Sequence, residues 1–525
     1  MVILGLGGIL NDAACAILAG GELACAVEQK KIARRDRPGA LPEECIAACL
    51  RLAGVTPQQV DSVALVRPIA AGTETAVHLE LRARFPKAQL VLVDHHTAHA
   101  ASAYYASPFE QATVLTLDRA GDLRCGARWQ AAGNRLTLEK ELYFPDSLGD
   151  LYGRVTELLG FEPGMDEHKV QWLSVSAEGR FTGLFLEILS AGGDDWPRLN
   201  RSFFDGHRIG QGGFSARFYE RLGLADGAGI PTQMAPVVAA SLQRAIEETV
   251  LAMAGRGANL ALAGGLCCNA LLVAALEASG HWEQVFVQPA AGNAGTALGA
   301  VFYAWHTVHG RERRSGLGNL CLGPSFTAEE VKKVIENCKL RFRYLLTDGE
   351  LIERAVEQIR ENRIIAWMQG RMEFGPRALG NRSLLASPRD PYSTENLNLF
   401  IKHRDPFRKF AVSVPVELAG DYFEVGPNAR FLATVGRLRP AHRETFRAAA
   451  LGDDRIRVHT VAEPDNPIFW RLLHAAGNSI GLPVLFNTSF NLFGDPMVCS
   501  PRDAVRSFYS SGIDAMFVGN FFLQK

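Results

Sequence analysis

The chain has 525 residues, 55 basic and 56 acidic, for a formal net charge of −1, and 47% of it is apolar. That length predicts two or three domains with ordinary large cores, and the balanced charge argues against nucleic acid or a membrane surface as a partner. No stretch reaches about 18 uncharged apolar residues, so no membrane span is expected, and the apolar start MVILGLGG lacks a basic flank and is interrupted by Asp12, unlike a signal peptide.

Residues 2–6 read as a buried strand running into a Gly7-Gly8 loop; 13–18 and 23–27 read as two more strands joined by a tight turn at Gly20-Gly21. A helix over 42–53 stops at Gly54, and Thr56-Pro57 caps a short one. Strand 62–66, helix 74–85 and strand 90–94 follow. The opening order then recurs: strand 114–118, loop 119–122, strand 124–130, turn Gly133-Asn134, strand 136–142. This order predicts the second half of a duplicated actin-like (ribonuclease-H-like) α/β fold. Helices are expected around 148–159 and 235–254. Strand 260–265 opens into helix 269–278, and strand 285–288 leads through loop 289–293 into helix 294–306.

Residues 310–323, rich in Arg and Gly, read as a linker between a domain of residues 1–310 and one of 322–525. The second domain starts with helix 328–337 and contains a buried strand at 364–368. It ends with strand 483–486, the loop Asn487-Thr488-Ser489-Phe490-Asn491 and a helix from Pro501. Ten cysteines without a Cys-x-x-Cys pair read as buried free thiols in a reducing cytoplasm, not as zinc ligands or disulfides. An insert over 179–229, rich in Phe, Arg and Gly, reads either as a wall of an acceptor pocket or as a plain helical cap.

Three groups of residues carry chemistry. Residues 370–390 (GRMEFGPRALGNRSLLASPRD) place Arg371, Arg377, Arg382 and Arg389 among turn formers. Glycines admit backbone N–H groups close to a ligand, and guanidinium forks suit phosphate or carboxylate oxygens. The bland alternative is an arginine-rich turn paired with neighbouring acids. Lys402, Arg404, Arg408 and Lys409, with Arg457 and Ser489, add cations and a hydroxyl to the same domain. A solvated basic face is the alternative, although Pro406-Phe407 and Phe410 would break it.

In the first domain, His95 and His99 are four apart on a predicted helix and share a face. Asp118, ending a neighbouring predicted strand, would complete two imidazoles and a carboxylate, a set suited to a divalent transition metal. A buried histidine cluster bonded to carbonyls is the alternative. The glycine turns at Gly264-Gly265 and Gly292–Gly295, each before a helix, suggest a nucleotide held at helix N-termini.

Four ordered segments, DHHTAHAASAYYASPFEQATVLTLD, GRMEFGPRALGNRSLLASPRDP, KHRDPFRKF and LFNTSFNLFGDPMVCSPRDA, resemble the O-carbamoyltransferases of nodulation-factor and antibiotic biosynthesis, the tobramycin and cephalosporin enzymes among them. The resemblance covers essentially the whole chain. It implies an N-terminal actin-like domain and a C-terminal domain like threonylcarbamoyl-AMP synthase. It also implies two steps: carbamoyl phosphate and ATP give carbamoyl-adenylate and pyrophosphate, and the carbamoyl group then passes to a hydroxyl of a small acceptor, releasing AMP. By position, Arg377, Lys402, Arg408, Arg457 and Ser489 match the carbamoyl-phosphate site, where Arg377, Lys402, Arg408 and Ser489 would act in catalysis. His95, His99, Asp118 and Asn293 match the ligands of an iron site. Gly121, Gly265 and Asn269 match the nucleotide side, with magnesium accompanying ATP. The implied location is cytoplasmic, with no nucleic-acid or membrane partner and a homodimer as one possible assembly.

Three positions depart from the family pattern: Asn293 stands for an Asp, Asn11 for the His of a His-Asp pair, and Arg119 for a Gly. All three fall in the acceptor half, so weak metal binding and an unusual acceptor are expected. Two other readings compete: a tRNA threonylcarbamoylation-type enzyme, which would want a basic tract, and a degenerate nucleotide-binding scaffold.

Overall fold

The computed structural model describes residues 1–525 apart from 71, 191, 193–195, 313–315, 391 and 406. Part of the expected linker, and Pro406, therefore lie outside the described residues. The chain packs as two compact units. One holds Met1–Val93, Asn293–Ala450 and Asp454–Lys525; the other holds Asp94–Gly292 and Leu451–Asp453. This division cuts across the one drawn at residues 310–322 from composition.

In the first unit, β1 (Val2–Gly7), β2 (Ala14–Ala19), β3 (Glu22–Glu28), β4 (Ser62–Val66) and β5 (Gln89–Val93) form a sheet in the order β3-β2-β1-β4-β5. β1 and β2, and β2 and β3, run antiparallel, whereas β1, β4 and β5 run parallel. Apolar, β-branched-rich runs suit strands covered by helices. Leu4, Leu6, Ile17, Val27 and the thiols of Cys15, Cys25, Cys45 and Cys49 share one core. All four thiols are free and buried. The helix Thr296–Phe302 lies against β1 so closely that a Cβ on Gly5 would stand 2.5 Å from Ala297 O.

In the second unit, β6 (Gln111–Gly121), β7 (Arg124–Ala132), β8 (Arg135–Tyr143), β9 (Gly257–Ala263) and β10 (Trp282–Val287) form a sheet in the order β10-β9-β6-β7-β8. β6, β7 and β8 pair antiparallel and β6, β9 and β10 parallel. Strand order and pairing senses repeat those of the first sheet, with β6 in the place of β1. The helix His95–Ala106 packs on β6 and β9.

The first unit also carries an eight-stranded mixed sheet. Its spatial order is Arg343–Tyr344, Phe521–Gln524, Ala515–Val518, Ile365–Met368, Arg382–Ala386, Leu485–Ser489, Ala411–Pro415, Val458–Val461. Both faces are covered. Leu384, Val412, Phe486 and Val518 point into one core, and Trp367, Leu385, Leu485 and Phe517 into another. The architecture is mixed α/β. Two local expectations change. Asn487, Thr488 and Ser489, read as loop, are the end of a strand, because the ladder to Ser383–Leu385 continues through them. Arg382–Ala386, inside the arginine-rich stretch, is also a strand. Among the described residues no helix is long and apolar enough to cross a membrane.

Candidate functional site

The eight-stranded sheet gathers residues that are far apart in the chain. Strand Arg382–Ala386 runs antiparallel to Leu485–Ser489, which runs antiparallel to Ala411–Pro415, which is parallel to Val458–Val461. One edge of the sheet therefore meets the approach to the first strand, with Arg377, and the exit of the second, with Ser489. It also meets the approach to the third, with Lys402 and Arg408, and the residue before the fourth, Arg457. All five residues of the expected carbamoyl-phosphate set lie at adjacent strand ends.

Lys402 is buried, and its Nζ donates to Ser489 O (2.5 Å), Asn491 O (2.9 Å) and Asn491 Oδ1 (2.6 Å). Ser489 Oγ donates to the same Asn491 Oδ1 at 2.8 Å. Burial, reinforced by the charges of Arg404 and Arg408, pushes the Lys402 ammonium well below its usual range. Arg457 is depressed likewise, by burial and then by Arg377, Arg404 and Arg408. These cations are close enough to oppose one another's charge, an arrangement that an arriving anion would relieve. Arg404 belongs to the same group. It lies over the Phe410 ring at 4.2 Å and donates from Nε to Asn398 Oδ1 at 2.7 Å. Burial, then Arg408, lowers its pKa to about 9. Arg404 was counted among the cations but left out of the expected carbamoyl-phosphate set; the aromatic shelf singles it out.

The other arginines of the 370–390 stretch serve the backbone. Arg382 is fully buried and donates to the carbonyls of Gln369, Gly370, Asn381 and Pro324. Arg371 reaches Ala24 O, Leu322 O and Gly323 O, and Arg389 reaches Ile480 O and Gly481 O. Of the four, only Arg377 joins the cation group. Its loop is tied by a residue that composition did not single out. Glu373, fully buried, accepts from the N–H groups of Leu379 (2.7 Å), Asn381 (2.8 Å) and Arg382 (3.1 Å) through one oxygen. An acid set between Met372 and Phe374 was the available signal.

In the second unit the helix after β5 brings His95 and His99 to β6. Asp118 Oδ2 lies 2.8 Å from His95 Nε2 and 3.2 Å from His99 Nε2, and the two imidazole nitrogens are 3.1 Å apart. Burial works to raise the Asp118 pKa, but the bonds from both histidines outweigh it and hold the carboxyl well below its usual range. Burial lowers His99, whereas for His95 the bond and charge of Asp118 overcome burial and raise it. These three ligand atoms form a group able to hold a metal ion. Ligands at right angles around an ion with bonds of roughly 2.1 Å would stand roughly 3 Å apart, close to these separations.

The surroundings are built for the triad. Asp122 Oδ2 accepts from His95 N at 2.8 Å. A Cβ on Gly121 would meet the His95 ring at 2.1 Å, and one on Gly265 would stand 3.0 Å from Asp118 Oδ1. Two glycines expected on the nucleotide side thus border the triad. Asn269 caps the helix Ala270–Ala278 through Oδ1 and donates from Nδ2 to Gln243 at 2.8 Å. Asn293 falls in the first unit, opening the turn before Thr296–Phe302, where its carbonyl accepts from Thr296 Oγ1.

Residues 69–302 match the family model described as carbamoyltransferase N-terminus, and residues 356–525 match carbamoyltransferase C-terminus. The nodulation protein NolNO of Sinorhizobium fredii is 31% identical over 566 residues, covering 98% of this chain and 79% of the relative. The chain belongs to the carbamoyltransferase family. A 3'-hydroxymethylcephem-O-carbamoyltransferase of Amycolatopsis lactamdurans is 31% identical over 307 residues, covering 57% of this carbamoyltransferase and 56% of the relative. Among solved structures, component A of Acidaminococcus fermentans (R)-2-hydroxyglutaryl-CoA dehydratase aligns with 58% of this chain and 97% of its own, at 14% identity and a TM-score of 0.38.

Proposed function

We propose that this carbamoyltransferase is an ATP-dependent O-carbamoyltransferase. In this reading carbamoyl phosphate, ATP and water give carbamoyl-adenylate, phosphate and pyrophosphate; the carbamoyl group then passes to a hydroxyl of a small acceptor, releasing AMP. The repeated sheets support reading the first 310 residues as a duplicated actin-like domain; residues 322–525 would then be the adenylate-forming one. The observation that carries the reading is that neighbouring strand ends of one sheet bring Arg404 and Arg408 near buried Lys402, and the same two with Arg377 near buried Arg457. A small dianion turns their mutual repulsion into attraction, and donors fixed before it arrives need no reorganisation as charge shifts in the reaction. Arg377, Arg408 and Arg457 would grip the phosphate, and Lys402 would hold the Ser489–Asn491 corner so that the Ser489 hydroxyl faces the carbamoyl group.

For transfer, His95, His99 and Asp118 would hold a divalent metal that we take to be iron. His99, kept neutral, and Asp118, kept ionised, are in the forms that ligands require. When bound, such an ion supplies Lewis acidity toward the carbamoyl carbonyl. Gly121, Gly265 and the Asn269 turn would form the nucleotide side, with magnesium accompanying ATP. The O-carbamoyltransferase named above acts on a hydroxymethyl group, which supports a small hydroxyl acceptor here.

The test is pyrophosphate release from ATP. Release that depends on carbamoyl phosphate, and that falls about tenfold to a hundredfold or more in a folded Arg377→Ala chain, is expected, since one charge-assisted contact contributes roughly 1.5–3 kcal/mol. No release from the wild-type protein would leave a nucleotide-binding scaffold as the better reading.

A further inference from the structure

The cation pocket belongs to the C-terminal half of the sequence, yet it is fastened from the N-terminal end. The helix Gln29–Ala33 follows β3 directly. Lys31 on it is buried, and its Nζ donates to Glu373 O (3.1 Å) and Gly375 O (2.5 Å), two residues before Arg377. Glu28, at the end of β3, pairs with Lys31 and accepts from Gly375 N at 3.0 Å. One turn on, Arg34 donates to Met497 O (2.7 Å) and Pro496 O (2.8 Å). That loop follows Ser489 and is joined to it through Asn491, whose Nδ2 donates to Asp495 O at 2.7 Å. Lys402 pins the same Asn491 from the other side. A cavity of about 140 Å³ lies between these parts, bordered by Asp12, Glu28, Lys31, Pro376, Ser489 and Asn491.

A buried ammonium normally stays with a carboxylate and makes up its remaining donors locally. Here both remaining bonds go to backbone carbonyls some 340 residues along the chain, on the loop that presents the first pocket arginine. We propose that Lys31 is a positioning residue for the anion pocket. With Glu28 it sets the Arg377 loop while Arg34 sets the Ser489–Met497 loop, so that the two loops face one ligand only when this strap is seated. The inference rests on the function proposed above and adds a requirement from outside the adenylate-forming segment.

The experiment uses the full chain, with carbamoyl phosphate binding followed by calorimetry and pyrophosphate release by steady-state kinetics. Lys31→Met, which keeps an unbranched side chain one atom shorter and without the charge, is expected to raise KM for carbamoyl phosphate by about tenfold or more. KM for ATP and kcat should change less than about threefold. Lys31→Met/Glu28→Gln removes both charges together and should show the same split, which separates lost positioning from an orphaned Glu28. Hydrogen exchange on the wild-type chain needs no variant. Carbamoyl phosphate should slow exchange in residues 29–34 together with 373–380 and 489–497. A folded Lys31→Met chain with wild-type KM, or protection of the two loops without residues 29–34, would overturn the strap while leaving the proposed reaction standing. A wild-type chain that neither binds carbamoyl phosphate nor releases pyrophosphate would overturn both.

Discussion

Arginine in a turn has two uses, and residues 370–390 show both. Arg371, Arg382 and Arg389 donate to backbone carbonyls, while Arg377 lies near other cations. Composition sees four equal guanidinium groups; only their partners divide them. Another single residue, His459, gives a pH prediction. It is buried beside Ser413, with Ser413 Oγ and His459 Nδ1 2.9 Å apart. Burial pushes its pKa from 6.5 down to about 4. The native imidazole therefore stays neutral where the unfolded one takes a proton. Its contribution is complete above pH 6.5 and is lost as pH falls toward about 4, on the order of 3 kcal/mol in all. Urea melts at a series of pH values should show that slope, and a His459→Gln chain should be flatter between pH 4 and 6.5.

At the scale of elements, the His95–His99–Asp118 triad depends on how a strand end meets a helix start. β6 delivers Asp118 and continues to Gly121, against which the His95 ring lies; Asp122 then takes up the free N–H at the start of the helix His95–Ala106. The ring cannot keep its place beside a methyl group at Gly121. Gly121→Ala is therefore expected to fold with its sheet intact and, on the metal reading proposed above, to bind iron about 10–100-fold more weakly, the usual range for disturbed ligand support. Metal analysis after dialysis against a graded chelator measures this, and unchanged affinity would count against the triad as a metal centre. The elements themselves were well marked in the sequence. Gly54 ends its helix in the left-handed conformation, and Thr56 stands at the N-cap ahead of Pro57, as expected. Ser489 was misjudged because Asn-Thr-Ser reads as turn chemistry, whereas the ladder to Ser383–Leu385, joined at Asn487 by one to Ala411, keeps those residues extended.

At the scale of the whole chain, the first compact unit is discontinuous in sequence. Met1–Val93 shares it with the residues after Asn293. The strap, and the bond from Arg371 to Ala24 O, lie within it. Residues 322–525 expressed alone would leave the Glu373 and Gly375 carbonyls and the Arg371 fork without these partners, at about 1–3 kcal/mol for each buried group left unsatisfied. That piece should melt at a lower temperature than the full chain and bind a hydrophobic dye. An equal melting temperature would show that it does not need the first 93 residues.

Strand and helix positions, the repeated opening pattern, the histidine pair and the pool of cations all follow from local spacing, because turn residues, hydrophobic period and charge act over a few neighbours. Which cations meet does not follow from spacing. Arg377, Lys402, Arg408, Arg457 and Ser489 come together because their strands are neighbours in one sheet, and strand order is fixed by long-range pairing that no short segment encodes. The reach of Lys31 to Gly375 belongs to that same level: a bond between residues more than 340 apart exists only once the strands between them have paired.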